Sequence, residues 1–208
     1  MRVAIFASGN GTNFEVLADK FAKKEITGNL VLLFCDHPNA PVIKRAEKFN
    51  IPYETFTVKE CGNKLDYEKR IVEVLKAHQI DFIALAGYMR IIGKPILDEY
   101  EGSIINLHPA YLPEYQGLHA IERAFADHKE HNKNQTGVTL HYIDSGLDSG
   151  PVIYQEHVPI YQDDTCETLE ERIHECEHRI YPKVLNEVLL SKSNNCLLYT
   201  SPSPRDTR

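Results

Sequence analysis

Positive charge is not in excess in this sequence. Lys and Arg number 23 against 30 Asp and Glu, for a formal net charge of -7, so the clustered basic excess of a nucleic-acid footprint is missing. An anionic small substrate stays open, because a few aimed donors bind phosphate locally. The five cysteines are an odd number with no C-x-x-C pair, which argues against a disulfide framework and for a reducing compartment. The formal sequons at Asn10-Gly11-Thr12 and Asn134-Gln135-Thr136 are then accidents of sequence. No apolar run approaches the roughly 20 residues of a membrane span. No leader precedes the apolar run that starts at Val3, so a cytoplasmic protein is expected, without membrane or nucleic-acid partner.

Two phosphate-binding signatures are also incomplete. Ser8-Gly9-Asn10-Gly11-Thr12-Asn13 follows the first apolar run and opens a helical pattern. Its glycines permit a sharp turn that brings amide N–H groups close to an anion at a helix N-terminus. The third glycine of the dinucleotide fingerprint is absent, and so is the P-loop Lys-Ser/Thr. What remains is a phosphate cradle or a plain tight turn. The order of strand, glycine turn and helix favours the cradle.

Apolar patterning predicts strands at 3–7, 30–35, 53–56, 82–86 and 103–107, alternating with helices at 13–24, 42–49 and 65–78, the last with Ile71, Val74 and Leu75 inward. Buried strands separated by helices indicate an α/β fold, an open, doubly wound, mostly parallel sheet. Strands at 138–143 and 152–158, joined by the loop Asp144-Ser145-Gly146-Leu147-Asp148-Ser149-Gly150-Pro151, are expected to pair antiparallel at one edge. A long C-terminal helix is expected over 165–190, with Leu169, Ile173, Ile180, Val184 and Val188 on one face and a kink at Pro182. Residues 1–190 form one domain in this reading. The Ser-, Pro- and Asn-rich stretch 191–208 is expected to be disordered and non-native.

Alternation along the strand before Pro109 puts Asn106 and His108 on one side and Ile105 and Leu107 on the other. An amide and an imidazole side by side at the carboxyl end of a strand suit a developing oxyanion, since both donate to one oxygen. A lone core histidine bonded to a carbonyl is the plain alternative. A carboxylate from the glycine-flanked loop would favour imidazolium at His108. Spacing does not choose between Asp144 and Asp148.

As a set, Asn106-x-His108-Pro109, Leu112-Pro113-x-Tyr115-x-Gly117 and Leu147-Asp148-Ser149-Gly150-Pro151 resemble the folate-dependent formyltransferase family over about 1–190. The opening turn and Glu177-His178-Arg179-Ile180-Tyr181-Pro182 narrow the likeness to members acting on glycinamide ribonucleotide. The resemblance implies 10-formyltetrahydrofolate as co-substrate, no metal, small-molecule partners only, and a monomer or weak homodimer. It implies Asn106, His108 and Asp148 as the catalytic set. Gly11, Thr12 and Asn13 would hold the substrate phosphate, with Glu177 at the glycinamide end and His174 beside it where the family has glutamine. Tyr88, Met89, Arg90, Ile91 and Ile92 would line the folate pocket, together with Asn106. Asp144, Ser145, Gly146 and Leu147 would close its pteridine side. Lys64 would stand where the family more often has arginine.

A different class, a zinc hydrolase, is suggested by His174-Glu175-Cys176-Glu177-His178, which fits H-E-x-x-H on a helix, two histidines one turn apart as zinc ligands with a Glu as general base. Its extended form fails, since Tyr181 and Val184 stand where a glycine and a third histidine are required. Within the family, a formyltetrahydrofolate hydrolase would carry a regulatory domain ahead of the first strand, and a methionyl-tRNA formyltransferase a basic domain behind the last helix. Neither segment is expected here.

Overall fold

A computed structural model describes residues 1–199. Its strands are β1 (Arg2–Ala7), β2 (Asn29–Cys35), β3 (Tyr53–Thr55), β4 (Phe82–Leu85), β5 (Ile104–His108), β6 (Gln135–Tyr142) and β7 (Val152–Pro159). The helices are α1 (Thr12–Ala22), α2 (Val42–Lys48), α3 (Val58–Cys61), α4 (Lys64–Ala77), α5 (Lys94–Tyr100), α6 (Ala120–His131) and α7 (Cys166–Tyr199). Among the described residues, β3-β2-β1-β4-β5-β6-β7 form one sheet. It is parallel from β3 through β5 and antiparallel from β5 to β7.

Side chains alternate across each strand, so one strand feeds two cores. Val3, Ile5 and Ala7 of β1 face a core shared with Phe14 and Leu17 of α1, Val42 of α2 and Ile173 of α7. Ala4 and Phe6 face the other core, with Tyr67 and Ile71 of α4 and Ile96 of α5. Burial on both faces explains the uninterrupted apolar runs of the parallel strands. The chain steps outward from β1 to β3, then returns to place β4 on the other side of β1. The order therefore reverses between β1 and β4, and a crevice opens beyond their carboxyl ends.

The doubly wound sheet, its antiparallel edge and the long last helix follow the pattern read from sequence. Four helices depart from it. α3, α5 and α6 are additional helices, of which α6 buries only Ala120, Ala124 and His128. α7 extends past 190 to Tyr199, so 191–199 is helical rather than disordered. No Gly or Pro lies between Lys183 and Pro202 to stop it. The rest of the expected tail, 200–208, lies outside the described residues. Pro182 sits inside a helix that continues on both sides of it, so the loss of one N–H donor does not end the element. Tyr181, fully buried, donates from its hydroxyl to Leu85 O at 2.7 Å and fastens α7 to the end of β4. No described helix is long and apolar enough to cross a membrane.

Candidate active site

A cavity of about 600 Å³ lies at the crevice. β5 sends Asn106 and His108 into it, the segment after β4 contributes Tyr88–Ile92, and the loop between β6 and β7 contributes Asp144, Gly146, Leu147 and Asp148. α7 closes one side with Glu170, His174 and Glu177, and Asn13 of α1 reaches the same wall. Met89, Ile91, Leu118 and Leu147 are half or more exposed around it. Such an apolar rim over a few convergent polar groups suits a flat organic ligand.

The polar centre is built by strand pairing. In the antiparallel register, Asn106 stands opposite His141 and His108 opposite Thr139, and directly opposed residues share a face. Asn106 Nδ2 lies 3.3 Å from His141 Nε2. The His141 Nδ1 lies 2.9 Å from Tyr142 O. A carbonyl only accepts, so Nδ1 carries the hydrogen and Nε2 is left as the acceptor for the amide. Burial pushes the His141 imidazole below its ordinary pKa, which keeps that lone pair free.

His108 Nε2 donates to Tyr115 O at 2.8 Å. Its Nδ1 faces Asp148 Oδ2 at 3.5 Å, beyond a direct hydrogen bond and short enough for one shared oxygen to bridge. Asp148 is fixed from behind: its Oδ2 accepts from Gly117 N at 2.7 Å, and its backbone O accepts from Gln116 Nε2 at 3.2 Å. Asp144 instead closes its own turn, accepting from Gly146 N at 2.8 Å and Ser149 Oγ at 2.9 Å. Of the two loop carboxylates, Asp148 is the one beside the imidazole.

The glycine turn meets the cavity through Asn13. Gly11 is the N-cap of α1, with φ of 77° and no side chain capping the first turn, so the leading N–H groups are left for an outside acceptor. Asn13 Nδ2 donates to Glu177 Oε2 at 2.8 Å, and the same oxygen lies 3.0 Å from His174 Nδ1. The Glu177 hydrogen bond raises the His174 pKa. Ser8 joins this turn to the segment after β4: its N–H donates to Gly87 O at 3.1 Å and its Oγ accepts from Met89 N at 2.9 Å.

Two residues expected at the pocket stand elsewhere. Lys64 opens α4 with its ammonium 3.8 Å from Glu68, away from the cavity wall; as the first residue of that helix it is directed along its own surface. Ser145 is also absent from the wall, because the Asp144 turn presents its neighbours Gly146 and Leu147 instead. Arg90 lines the cavity with Nε tied to buried Asp36 at 2.9 Å, which leaves its terminal nitrogens for a ligand. His141, Tyr115 O and Leu118 also face this site, beyond the residues expected from sequence. Of these His141 had a signal, since pairing the two strands antiparallel places it against Asn106.

His174 and His178, from the H-E-x-x-H pattern, have ring centroids 6.3 Å apart. Among the described residues no three His, Cys, Asp or Glu side chains group as a metal site.

Residues 1–185 match the family model described as Formyl transferase. The chain is 44% identical over 188 residues to the phosphoribosylglycinamide formyltransferase of Bacillus subtilis (strain 168), covering 90% of this chain and 94% of that protein. It is 35% identical over 186 residues to the trifunctional purine biosynthetic protein adenosine-3 of Drosophila melanogaster, covering 88% of this chain and 14% of that longer protein. The crystal structure of phosphoribosylglycinamide formyltransferase from Bacillus halodurans is similar with a TM-score of 0.88 and 46% identity, covering 97% of this chain and all of that one.

Proposed function

Since the chain belongs to the formyl transferase family, we propose that it moves the formyl group of 10-formyltetrahydrofolate onto the amine of glycinamide ribonucleotide. The product is formylglycinamide ribonucleotide, in purine biosynthesis. The observation that carries this reading is the meeting of Asn106, His108 and Asp148 in one cavity, between an uncapped helix N-terminus and an apolar rim. The N-terminus suits the phosphate, and the rim, with Met89, Ile91 and Leu147, suits a flat folate ring.

The reaction forms a bond from the amine nitrogen to the formyl carbon and breaks the bond from that carbon to N10. One proton passes from the amine to N10. The carbonyl oxygen gains negative charge on the way, and two donors serve it. Asn106 has a second Nδ2 hydrogen after the first is given to His141, and His108 has Nδ1, since Nε2 is committed to Tyr115 O. Asp148 balances the imidazolium charge across the 3.5 Å gap and takes part in ordering a proton-relaying water there. His141, buried and neutral, orients the Asn106 amide. Gly11, Thr12 and Asn13 hold the phosphate, while Glu177, fixed by Asn13 and His174, receives the glycinamide end.

A formyl-transfer assay with glycinamide ribonucleotide, run beside a no-amine control, tests the proposal. Deformylation of the folate is expected only with the amine, in equal amount to the formylated product. Equal deformylation without amine would make the protein a hydrolase.

A further inference from the structure

The corner of the glycine turn, Gly9 and Asn10, is exposed, and α2 braces it from outside. Val42 N donates to Gly9 O at 3.1 Å. A Cβ on Gly11 would lie 2.3 Å from Val42 Cγ2, so the turn is seated tightly against the helix. Arg45 completes the brace. Its Nε donates to Asn10 O at 2.7 Å, its Nη2 to Asn10 Oδ1 at 3.0 Å, and its Nη1 to Glu15. One planar fork thus ties the turn's corner to the first turn of α1, a geometry that a lysine does not reproduce.

Glu15 gives this contact a second consequence. It is the acidic residue in the first turn of α1, where a bare carboxylate would repel an incoming anion. Arg45 and then Lys48, 3.0 Å from its Oε1, hold its carboxyl below the usual range. The Arg45–Glu15 pair is only partly buried, each side chain 28% exposed, so it adds little to global stability. Its effect is local, on the shape and field of the turn.

We propose that Arg45, which does not line the cavity, is a positioning residue for phosphate recognition: it holds the Asn10 corner in the anion-accepting conformation and cancels the Glu15 charge beside it. This rests on the reading that the Ser8–Asn13 turn takes the substrate phosphate. Arg45 acts through Asn10 and Glu15, without touching the ligand.

The test compares kcat/KM for glycinamide ribonucleotide and for its dephosphorylated riboside in wild type, Arg45→Lys and Arg45→Met. Wild type is expected to prefer the phosphorylated amine. Arg45→Met is expected to lose about tenfold of that preference through KM, with kcat and the KM for 10-formyltetrahydrofolate unchanged. Arg45→Lys, keeping the charge without the fork, is expected to lose about threefold, and it decides the matter if the methionine variant does not fold. A purely structural role would lower activity on both amines alike and leave the preference intact. An unchanged preference in a folded variant overturns the proposal. No preference in wild type overturns the phosphate reading beneath it.

Discussion

Tyr115 holds φ at 54°, a backbone angle that side-chain-bearing residues rarely adopt, and its carbonyl takes the Nε2 hydrogen of His108. Asp148 has a similar angle, 48°. Two positions in uncommon conformations on opposite loops therefore aim at one imidazole, the pattern of strain kept where geometry serves a site. His141 belongs to the same construction, since the bare nitrogen that burial preserves is what orients Asn106. Replacing His141 with Phe fills the space and removes the acceptor. We expect kcat to fall about tenfold with both KM values within about twofold, the mark of a group acting on transition-state geometry. Steady-state kinetics checks this; an unchanged kcat would remove His141 from the mechanism. Asn13→Ala should act differently, raising the KM for the amine substrate about tenfold while the folate KM moves little. Equal loss of both ligands would mean that the phosphate lies elsewhere.

At the scale of elements, the loop between β6 and β7 carries Asp148, and Gly150 lets that loop close. A Cβ there would sit 1.8 Å from Tyr142 O, so Gly150→Ala has to displace the loop from the strand that precedes it. The expected result is a kcat about 10²-fold lower, because Asp148 leaves His108; near-normal turnover would show that the loop has slack. On α7, the hydrogen bond from His174 to Glu177 raises the imidazole pKa above its ordinary 6.5. The folded state then binds the proton more tightly than the unfolded chain. The pair's contribution is full below 6.5 and is lost as pH rises through the raised value. The stability difference between wild type and His174→Ala, measured by denaturant titration, should therefore shrink from mildly acidic to alkaline pH. A difference that does not vary with pH would contradict the ion pair.

These elements differ in how openly the sequence displays them. The parallel strands are legible because burial on both faces leaves little room for polar residues. α6 is not, because its buried stripe is made of Ala120, Ala124 and His128, too small and too polar to stand out as an apolar face. α5 has only two turns, with Ile96 and Tyr100 inward. Asn106 and His108 could be paired by strand alternation, whereas His141 acquires meaning only across the β5–β6 register. The expectation at Lys64 rests on likeness alone, and its ammonium instead lies 3.8 Å from Glu68 on α4.

Across the whole molecule, the reversal of strand order between β1 and β4 puts the phosphate turn and the folate-facing segment side by side. Ser8 joins them through Gly87 O and Met89 N. β5 then supplies Asn106 and His108 next to that junction, and α7 covers the open side with His174 and Glu177. Substrate binding and chemistry thus come from different strands of one sheet, which makes them separable by mutation. The most direct test is the single-turnover rate of formyl transfer in Asp148→Asn, measured with the dissociation constants of both ligands. The rate should fall about 10²-fold or more, with each dissociation constant within about threefold of wild type. A rate close to wild type, or a loss explained wholly by weaker binding, would show that Asp148 and His108 do not act together on the transition state.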